Sequence, residues 1–565
     1  MKKEQLLADA LNRFDKAIGA DHEERLLMEE DLAFVAGEQW PDAVKRARES
    51  EERPCLTFNR LPAFIGQVVG DARQNKPSIK VHPIDEGADK DLAEIYEGLI
   101  RNIEVQSQAT IAYLTGFEYA VSCGVGHWRV YTEYTHDDSF EQDIKIGRIL
   151  DPFSVVWDYN AKAYDKSDAR WCFVSEWITK EAFEQRYPGK NPNGWETVYN
   201  GGVTRHWANA DRVRLAEYWV KEPVTKEIGL LETPEGVKTV EITKEIEDMP
   251  FQKRRKVKTH KVVRYLLSGH EILEGPSEFP SRHIPIIPCY GPEEFLEGRM
   301  RHRSLVRYAK DPQRMYNFWQ TAIAEKIALA PKSPWLVTPN QVKGLEEYWN
   351  KANRQNKAFL LYNPDPQAPP PQRQNPAEVN QSEILQSGQA VEDLKATMGI
   401  FDASLGAQGN ETSGRAILAR QREGDVATYA WVDNLARSIE RTGRILVDMI
   451  PRIYDTSRVV RVLGEDEADK MVPINSVING ALVNDLTVGK YDVVISVGAS
   501  YQTRRMEAAD SMMQFIQAFP PAAEVAGDLI AAAMDWPGAD EVSERLKKLL
   551  PPGMAESEDM TEEER

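Results

Sequence analysis

Cysteine is scarce in this chain of 565 residues: Cys55, Cys123, Cys172 and Cys289 are the four, far apart and with no CxxC pair. That excludes a disulfide scaffold and suits a reducing cytoplasm. No apolar run approaches the ~20 residues a membrane span needs. The N-terminal stretch MKKEQLLADALNRFDKAIGADHEERLLMEE has the pattern of a charged amphipathic helix, not of a secretory signal. A GxxxxGK[ST] phosphate loop is missing, and Gly124-Val125-Gly126 lacks the third glycine and precedes a strand, so it does not read as a nucleotide loop. Gly269-His270-Glu271 is not HExxH and reads as a turn. Positive charge is in deficit, 70 Lys and Arg against 89 Asp and Glu, for a net charge of -19. Proteins that wrap nucleic acid tightly do so with cations that neutralise phosphates, so this balance argues against wrapping. It leaves room for a protein that DNA must pass without sticking, and it keeps a large subunit from associating at random.

What is present is enough apolar content, 42%, for several cores. The chain is organised around Asn410 to Asp455. Apolar or small residues recur there at Trp431/Val432, Leu435, Ile439, Thr442, Leu446 and Met449/Ile450, which is the spacing of one buried helical stripe. Thr412 and Ser413 offer capping hydroxyls, Pro451 is the expected end, and Gly424 is the expected bend. Ahead of it lies DASLGAQG, Asp402 to Gly409, a small polar loop. A long helix behind such a loop suits a mechanical part better than an active site.

The N-terminal 48 residues read as helical. Helices are expected at Leu61–Gln74, Asp91–Gln106 and Ala109–Ser122. Period-two alternation then predicts strands at 127–134, 144–150, 153–157, 211–220 and 256–267, a mixed α/β body with hairpins. A helical block begins near Arg301, with Pro312 as a kink or restart. Between Pro331 and Pro376 a small module is inserted: a strand at 335–337, a helix at 341–353, a strand at 359–362, then NPDPQAPPPQRQNP, whose prolines favour an extended arm. Helix resumes at 378–398, so the module is a tip on a two-helix stalk. Short strands at 459–462 and 491–497 precede helices at 503–518, 523–534 and 539–550, and the chain ends in the charge run ESEDMTEEER.

Several features invite a chemical reading. The acidic cluster Asp137, Asp138, Glu141 and Asp143 could hold a cation, but at a hairpin tip a solvated turn is commoner. The basic run Lys253, Arg254, Arg255, Lys256, Lys258 and Lys261 could contact phosphate. The plainer expectation is a hairpin whose other strand carries Glu241, Glu245, Glu247 and Asp248. Trp128, Trp157, Trp171 and Trp207 read as core or subunit-interface anchors rather than base-stacking platforms. No metal, cofactor or catalytic residue is expected.

Four strings carry a resemblance: NRLPAFIGQVVGDARQNKPSIKV (59–81), KDPQRMYNFWQTAIAEKIALAPKSPW (310–335), MGIFDASLGAQGNETSGRAILARQREGD (398–425) and VNDLTVGKYDVVISVGASYQTRRMEAA (483–509). With the order body, helix, module, helix, loop, long helix, cap, the chain resembles the portal proteins of tailed bacteriophages, the head-to-tail connectors, in their short-tailed (podovirus) form. The resemblance implies an α+β portal fold. A wing would span residues 1–300, stem helices 301–330 and 378–401, and a clip 331–377. A tunnel loop would span 402–413, the long helix with closing strands 414–502, a helical crown 503–551 and an acidic tail 552–565. It also implies a ring of about twelve subunits with duplex DNA passing through its centre. The clip would receive the terminase large subunit and later a tail adaptor, and the ring would meet major capsid and scaffolding proteins. Assembly would occur in the host cytoplasm and the product would reside in the virion, with no membrane partner. Some short-tailed-phage portals end in a long helical barrel; here an acidic tail stands at that place.

A channel that passes DNA should hold it weakly, which suits Ser404, Gln408, Asn410, Glu411, Thr412 and Ser413 in the loop. If several arginines per subunit gripped phosphate, counterion release would make the ring a brake. Arg415, Arg420 and Arg422 are therefore expected to bind carboxylates of a neighbouring subunit. In the clip, Trp335, Trp349, Pro369, Pro370 and Arg373 are expected to contact partners, because preformed extended segments lose little entropy on binding. Two alternatives stand beside this: another ring-forming neck or tail adaptor, and a nucleic-acid-processing enzyme. The second is opposed by the lack of a phosphate loop and of a two-metal carboxylate set.

Overall fold

The computed structural model describes residues 3–496 apart from 75–76, 85–88, 191–206, 208–210, 234–235, 243–248, 297, 330–332, 356, 376–379, 401–413, 465–468 and 479–480, and beyond 496 only short pieces between 512 and 546. Helices α1 (Lys3–Ala20), α2 (His22–Val35) and α3 (Asp42–Ser50) open the chain, and α4 (Leu61–Gln74) leads into strand β1 (Ser78–Pro83). Next come α5 (Lys90–Gln106), α6 (Ala109–Cys123), β2 (Val125–Tyr134), β3 (Gln142–Arg148), β4 (Val155–Trp157), β5 (Trp171–Thr179) and α7 (Lys180–Arg186). The strands β6 (Arg212–Thr233), β7 (Gly236–Glu241), β8 (Phe251–Leu267), β9 (Ile272–Phe279), β10 (Ile286–Tyr290), β11 (Glu293–Leu296) and β12 (Arg299–His302) follow. Then come α8 (Lys310–Leu329), β13 (Trp335–Leu336), α9 (Pro339–Val342), α10 (Glu346–Asn350), β14 (Gln372–Arg373), α11 (Gln381–Met398) and α12 (Gly414–Ile453). The closing strands are β15 (Arg458–Leu463), β16 (Asp469–Ile474), β17 (Ser476–Ile478), β18 (Ala481–Val483) and β19 (Tyr491–Ser496). The chain is thus α+β.

Two antiparallel sheets build the body, one in the order β10-β2-β3 and the other β4-β5-β6-β8-β9, with β7 added to the far part of β6. The first β1 strand closes on β19 near the other end of the chain. The main core gathers α4, α5, α6, the β10-β2-β3 sheet and the C-terminal half of α12. Its centre is Trp128, fully buried, edge-on to Tyr113 at 5.1 Å, with its indole N–H donating to Thr442 Oγ1 at 2.9 Å. The helical stripe is observed as expected: Trp431, Leu435, Ile439, Leu446, Met449 and Ile450 are all buried. A second core forms where Phe14 of α1 meets Phe173, Trp207 and Tyr218. Trp128, Trp157, Trp171 and Trp207 all belong to these cores. The Gly124-Val125-Gly126 turn is a packing device: Gly124 ends α6 with φ +95, and a Cβ on Gly126 would stand 1.8 Å from the Gly116 carbonyl oxygen. All four cysteines are free thiols.

Several expectations are corrected. Residues 299–302 form a strand paired with 293–296, so the helix expected from Arg301 starts at Lys310. Pro312 then lies in its first turn, where a missing N–H costs no helical bond. Pro451 does not end α12, which runs on to Ile453 because a proline in the last turn forfeits only one ladder bond. The helix runs without interruption through Gly424, so the bend expected there is one within a single helix. The basic strand is not paired with the acidic stretch before it. β8 pairs with β6 over its length, with Lys258 opposite Thr225 and Lys256 opposite Glu227, while Glu241 sits on β7 across the other edge of β6 and bonds Lys226 at 2.7 Å. Glu245, Glu247 and Asp248 lie outside the described residues, as does most of the expected crown at 503–551.

Candidate functional site

The stalk and its tip are built from polar contacts more than from a core. α8 presents Gln313, Asn317 and Thr321 at four-residue intervals, all buried, and these three receive an extended strap, residues 54–60. Gln313 Nε2 donates to the Phe58 carbonyl at 2.9 Å, the Phe58 amide donates to Asn317 Oδ1 at 2.9 Å, and Thr321 Oγ1 serves Leu56. One turn farther, Glu325 accepts from Arg48 at 3.1 Å and from Arg53 at 2.8 Å. Those guanidinium bonds hold the Glu325 carboxyl below the usual carboxylate range. At the body end the carboxylate of Asp31, fully buried in α2, forms an ion pair with Lys310 at 2.7 Å and accepts from Arg307 at 3.1 Å. α11 packs along α8, with Gln320 Nε2 donating to Ser387 Oγ at 2.8 Å and an ion pair between Lys326 and Glu383.

The inserted module expected to be a clip hangs from this pair. β13 and β14 bring Trp335 opposite Arg373, whose guanidinium lies 5.9 Å over the indole ring. Trp335 and Trp349 meet edge to face, 5.5 Å apart. Trp349 donates its indole N–H to the Leu361 carbonyl at 2.8 Å, and Tyr348 its hydroxyl to the Phe359 carbonyl at 2.6 Å. Gln341, buried, completes a capping box with Thr338 and donates to the Pro369 carbonyl at 2.7 Å. Pro369 and Pro370 themselves are exposed. Two expectations fail here. The helix expected at 341–353 is broken into α9 and α10 at Gly344, which takes φ +78. Residues 359–362 form no strand: the Phe359 and Leu361 carbonyls accept from the Tyr348 and Trp349 side chains in place of a strand partner.

Of the expected site residues, Trp335, Trp349 and Arg373 are brought together, and Pro369 is tied to them through Gln341. Arg415, Arg420 and Arg422 lie on the first turns of α12, and their side chains are outside the described residues. Ser404, Gln408, Asn410, Glu411, Thr412 and Ser413 are outside them altogether. Sequence reasoning missed a set of exposed apolar side chains: Met315, Phe318 and Ile327 on α8, Ile384 and Leu385 on α11, and Phe359 and Leu361 in the clip. Apolar positions off the main stripe of a helix were the available signal. Among the described residues no cluster of His, Cys, Asp or Glu stands ready to hold a metal, and no helix is long and apolar enough to cross a membrane.

A family model described as phage P22-like portal protein matches residues 11–565. A protein named "Portal protein" from Acyrthosiphon pisum secondary endosymbiont phage 1 is 28% identical over 592 aligned positions, which cover 98% of this chain and 82% of that one.

Proposed function

The chain belongs to the phage P22-like portal protein family, and we propose that its working form is a closed ring of about twelve copies at one capsid vertex. It is a portal protein, the connector through which phage DNA is packaged and ejected and on which the motor and then the tail dock. The observation that carries this is the family match over almost the entire chain. Residues 1–300 serve as wing, α8 and α11 as stem, 331–377 as clip, 402–413 as tunnel loop, α12 as the long helix behind it, and 503–551 as crown. The exposed apolar residues of α8 and α11 support side-by-side packing of stems, since such side chains gain about 25 cal/mol for each Å² covered by a neighbour.

The ring does no chemistry of its own and leaves ATP hydrolysis to the terminase large subunit. Double-stranded DNA touches the loop residues Ser404, Gln408, Asn410, Glu411, Thr412 and Ser413, while Arg415, Arg420 and Arg422 bind carboxylates of the adjacent subunit. The clip, with Trp335, Trp349, Pro369, Pro370 and Arg373, meets the terminase and then the tail adaptor. The wing meets major capsid and scaffolding proteins in the assembling head. Native mass and negative-stain images of the purified chain test the ring, which should show about twelve copies around a hole near the width of duplex DNA. A closed dimer or tetramer without a hole would overturn it. For the arginines, Arg420→Ala with Arg422→Ala should weaken ring assembly; intact rings with altered DNA retention would mean that these side chains grip DNA instead.

A further inference from the structure

The turn between β2 and β3 carries Phe140 at 98% exposure, an extreme value for an aromatic ring in a well-bonded turn. The turn is closed by the Thr135 amide on the Glu141 carbonyl at 2.9 Å and the Ser139 amide on the His136 carbonyl at 3.1 Å. Phe140 is therefore a knob on a bonded turn, and its collar is acidic: Asp137 and Asp138 are exposed on one side, with exposed Glu141, 3.5 Å from Arg458, and half-buried Asp143 on the other.

The same chain holds a cleft of opposite character. Beyond Lys221 and Val262 the β6–β8 pair leaves its flanking strands β5 and β9 and extends as a ribbon, which β7 joins on the other edge of β6 from Ile228 outward. Where the ribbon passes the end of α12, a cleft of about 560 Å³ opens, floored by Val224, Ile228, Val257 and Phe279. Its rim bears Lys226, Lys261, Arg282 and Arg452. Arg255, opposite Ile228 in the register, adds a fifth cation at the edge of the floor. Three carboxylates answer them: Glu241 takes Lys226, Glu278 takes Lys261, and Asp448 is shared by Arg282 at 3.0 Å and Arg452 at 3.3 Å. Among the described residues cations remain in excess.

We propose that Phe140 of one copy seats in this cleft of the next copy, its acidic collar against the basic rim. An apolar knob with an acidic collar fits an apolar floor with a basic rim in both polarity and charge, and the volume lies within the range of preformed binding pockets. Two different, complementary patches on one chain make a head-to-tail contact, the kind that closes rings. The contact rests on the ring reading above and names one of its joints. Buried aromatic anchors flanked by charge carry a disproportionate share of interface energy, so Phe140 is the hot spot of the pair.

Rings of the full chain carrying both Asp138→Cys and Lys261→Cys, treated with a short bismaleimide, should give a ladder of covalent multimers on a denaturing gel. Either single variant and the wild-type chain should give none. Rings that form normally but yield no ladder overturn the contact and leave the ring reading standing. A cross-link to capsid protein in assembled heads, without a ladder, would mean that the knob serves another partner and also overturns it. A chain that never closes into rings overturns both. Independently, Phe140→Ala should raise the concentration needed for half-assembly about tenfold, with Phe140→Leu recovering most of it. Unchanged assembly of Phe140→Ala would refute the proposal.

Discussion

The body and the clip belong to one chain and are held together by opposite means. Around the C-terminal half of α12 the body buries Trp128, Leu435, Ile439, Leu446 and Met449 in a continuous core. In the clip, among the described residues, only Ser333 and Gln341 are fully buried, and Leu336, Phe359 and Leu361 stand in solvent. Side-chain bonds to carbonyls and one tryptophan pair fix its shape. The lesson is that a continuous core shapes the body, whereas the clip holds its shape through polar contacts and leaves its apolar surface exposed in the single chain.

The sharpest way to break that contrast is at Trp128. Trp128→Ala should cost the body about 3–5 kcal/mol, through lost burial and the lost hydrogen bond to Thr442, whose hydroxyl keeps its bond to the Ser438 carbonyl. Denaturant unfolding followed by circular dichroism measures this, and a loss under 1 kcal/mol would mean the core is not centred there.

Acid should separate the two regions next. Burial, with Arg25 and His302 nearby, pushes His127 down to about 3; burial, with Lys166 and Arg307, does the same to His302. His302 is thus a neutral ring at physiological pH, and its 3.9 Å approach to Glu293 is not an ion pair there. An unfolded histidine titrates near 6.5, so below that pH the unfolded chain binds protons that the folded body refuses. Stability from these two groups is complete above about pH 6.5 and falls as the pH drops toward 3, on the order of 2 kcal/mol per histidine by pH 5. Denaturant midpoints at pH 7 and pH 5 should differ less for His127→Gln than for the wild-type chain, and an equal difference would exclude His127 as a source.

The smallest effect is expected in the clip. Trp349→Ala removes the edge-to-face pair and one hydrogen bond, a local loss of about 1–2 kcal/mol. Hydrogen exchange over 335–373 should quicken while the body's unfolding midpoint stays put. A shift of that midpoint would show the two regions to be one cooperative unit.

How much of this was legible in the sequence differs between the regions for the same physical reason. Where burial is one-sided, the periodicity gave the element: α4, α5 and α6 agree with expectation to within a residue, and so does the stripe of α12. The ribbon was under-read because Gln252 to Lys256 are all exposed, so no alternation marks the outer half of β8. Phe359–Tyr362 looked like a buried strand because apolar residues are assumed to seek a core, and here they do not. The buried ladder Gln313, Asn317 and Thr321 was visible as spacing, but its meaning depended on a strap some 260 residues earlier, which no local pattern supplies.

That strap has a mechanical consequence. A rod pinned at Gln313, Asn317, Thr321 and Glu325 along one side can neither roll about its axis nor slide along it without releasing several bonds at once. α8 is in effect a cantilever, clamped from its root to Glu325 and unstrapped over its last turn. A sideways load on the clip bends that turn first. A load large enough to pass it arrives in the body along two lines, through the strap at α3 and through α11 into the core it shares with α12.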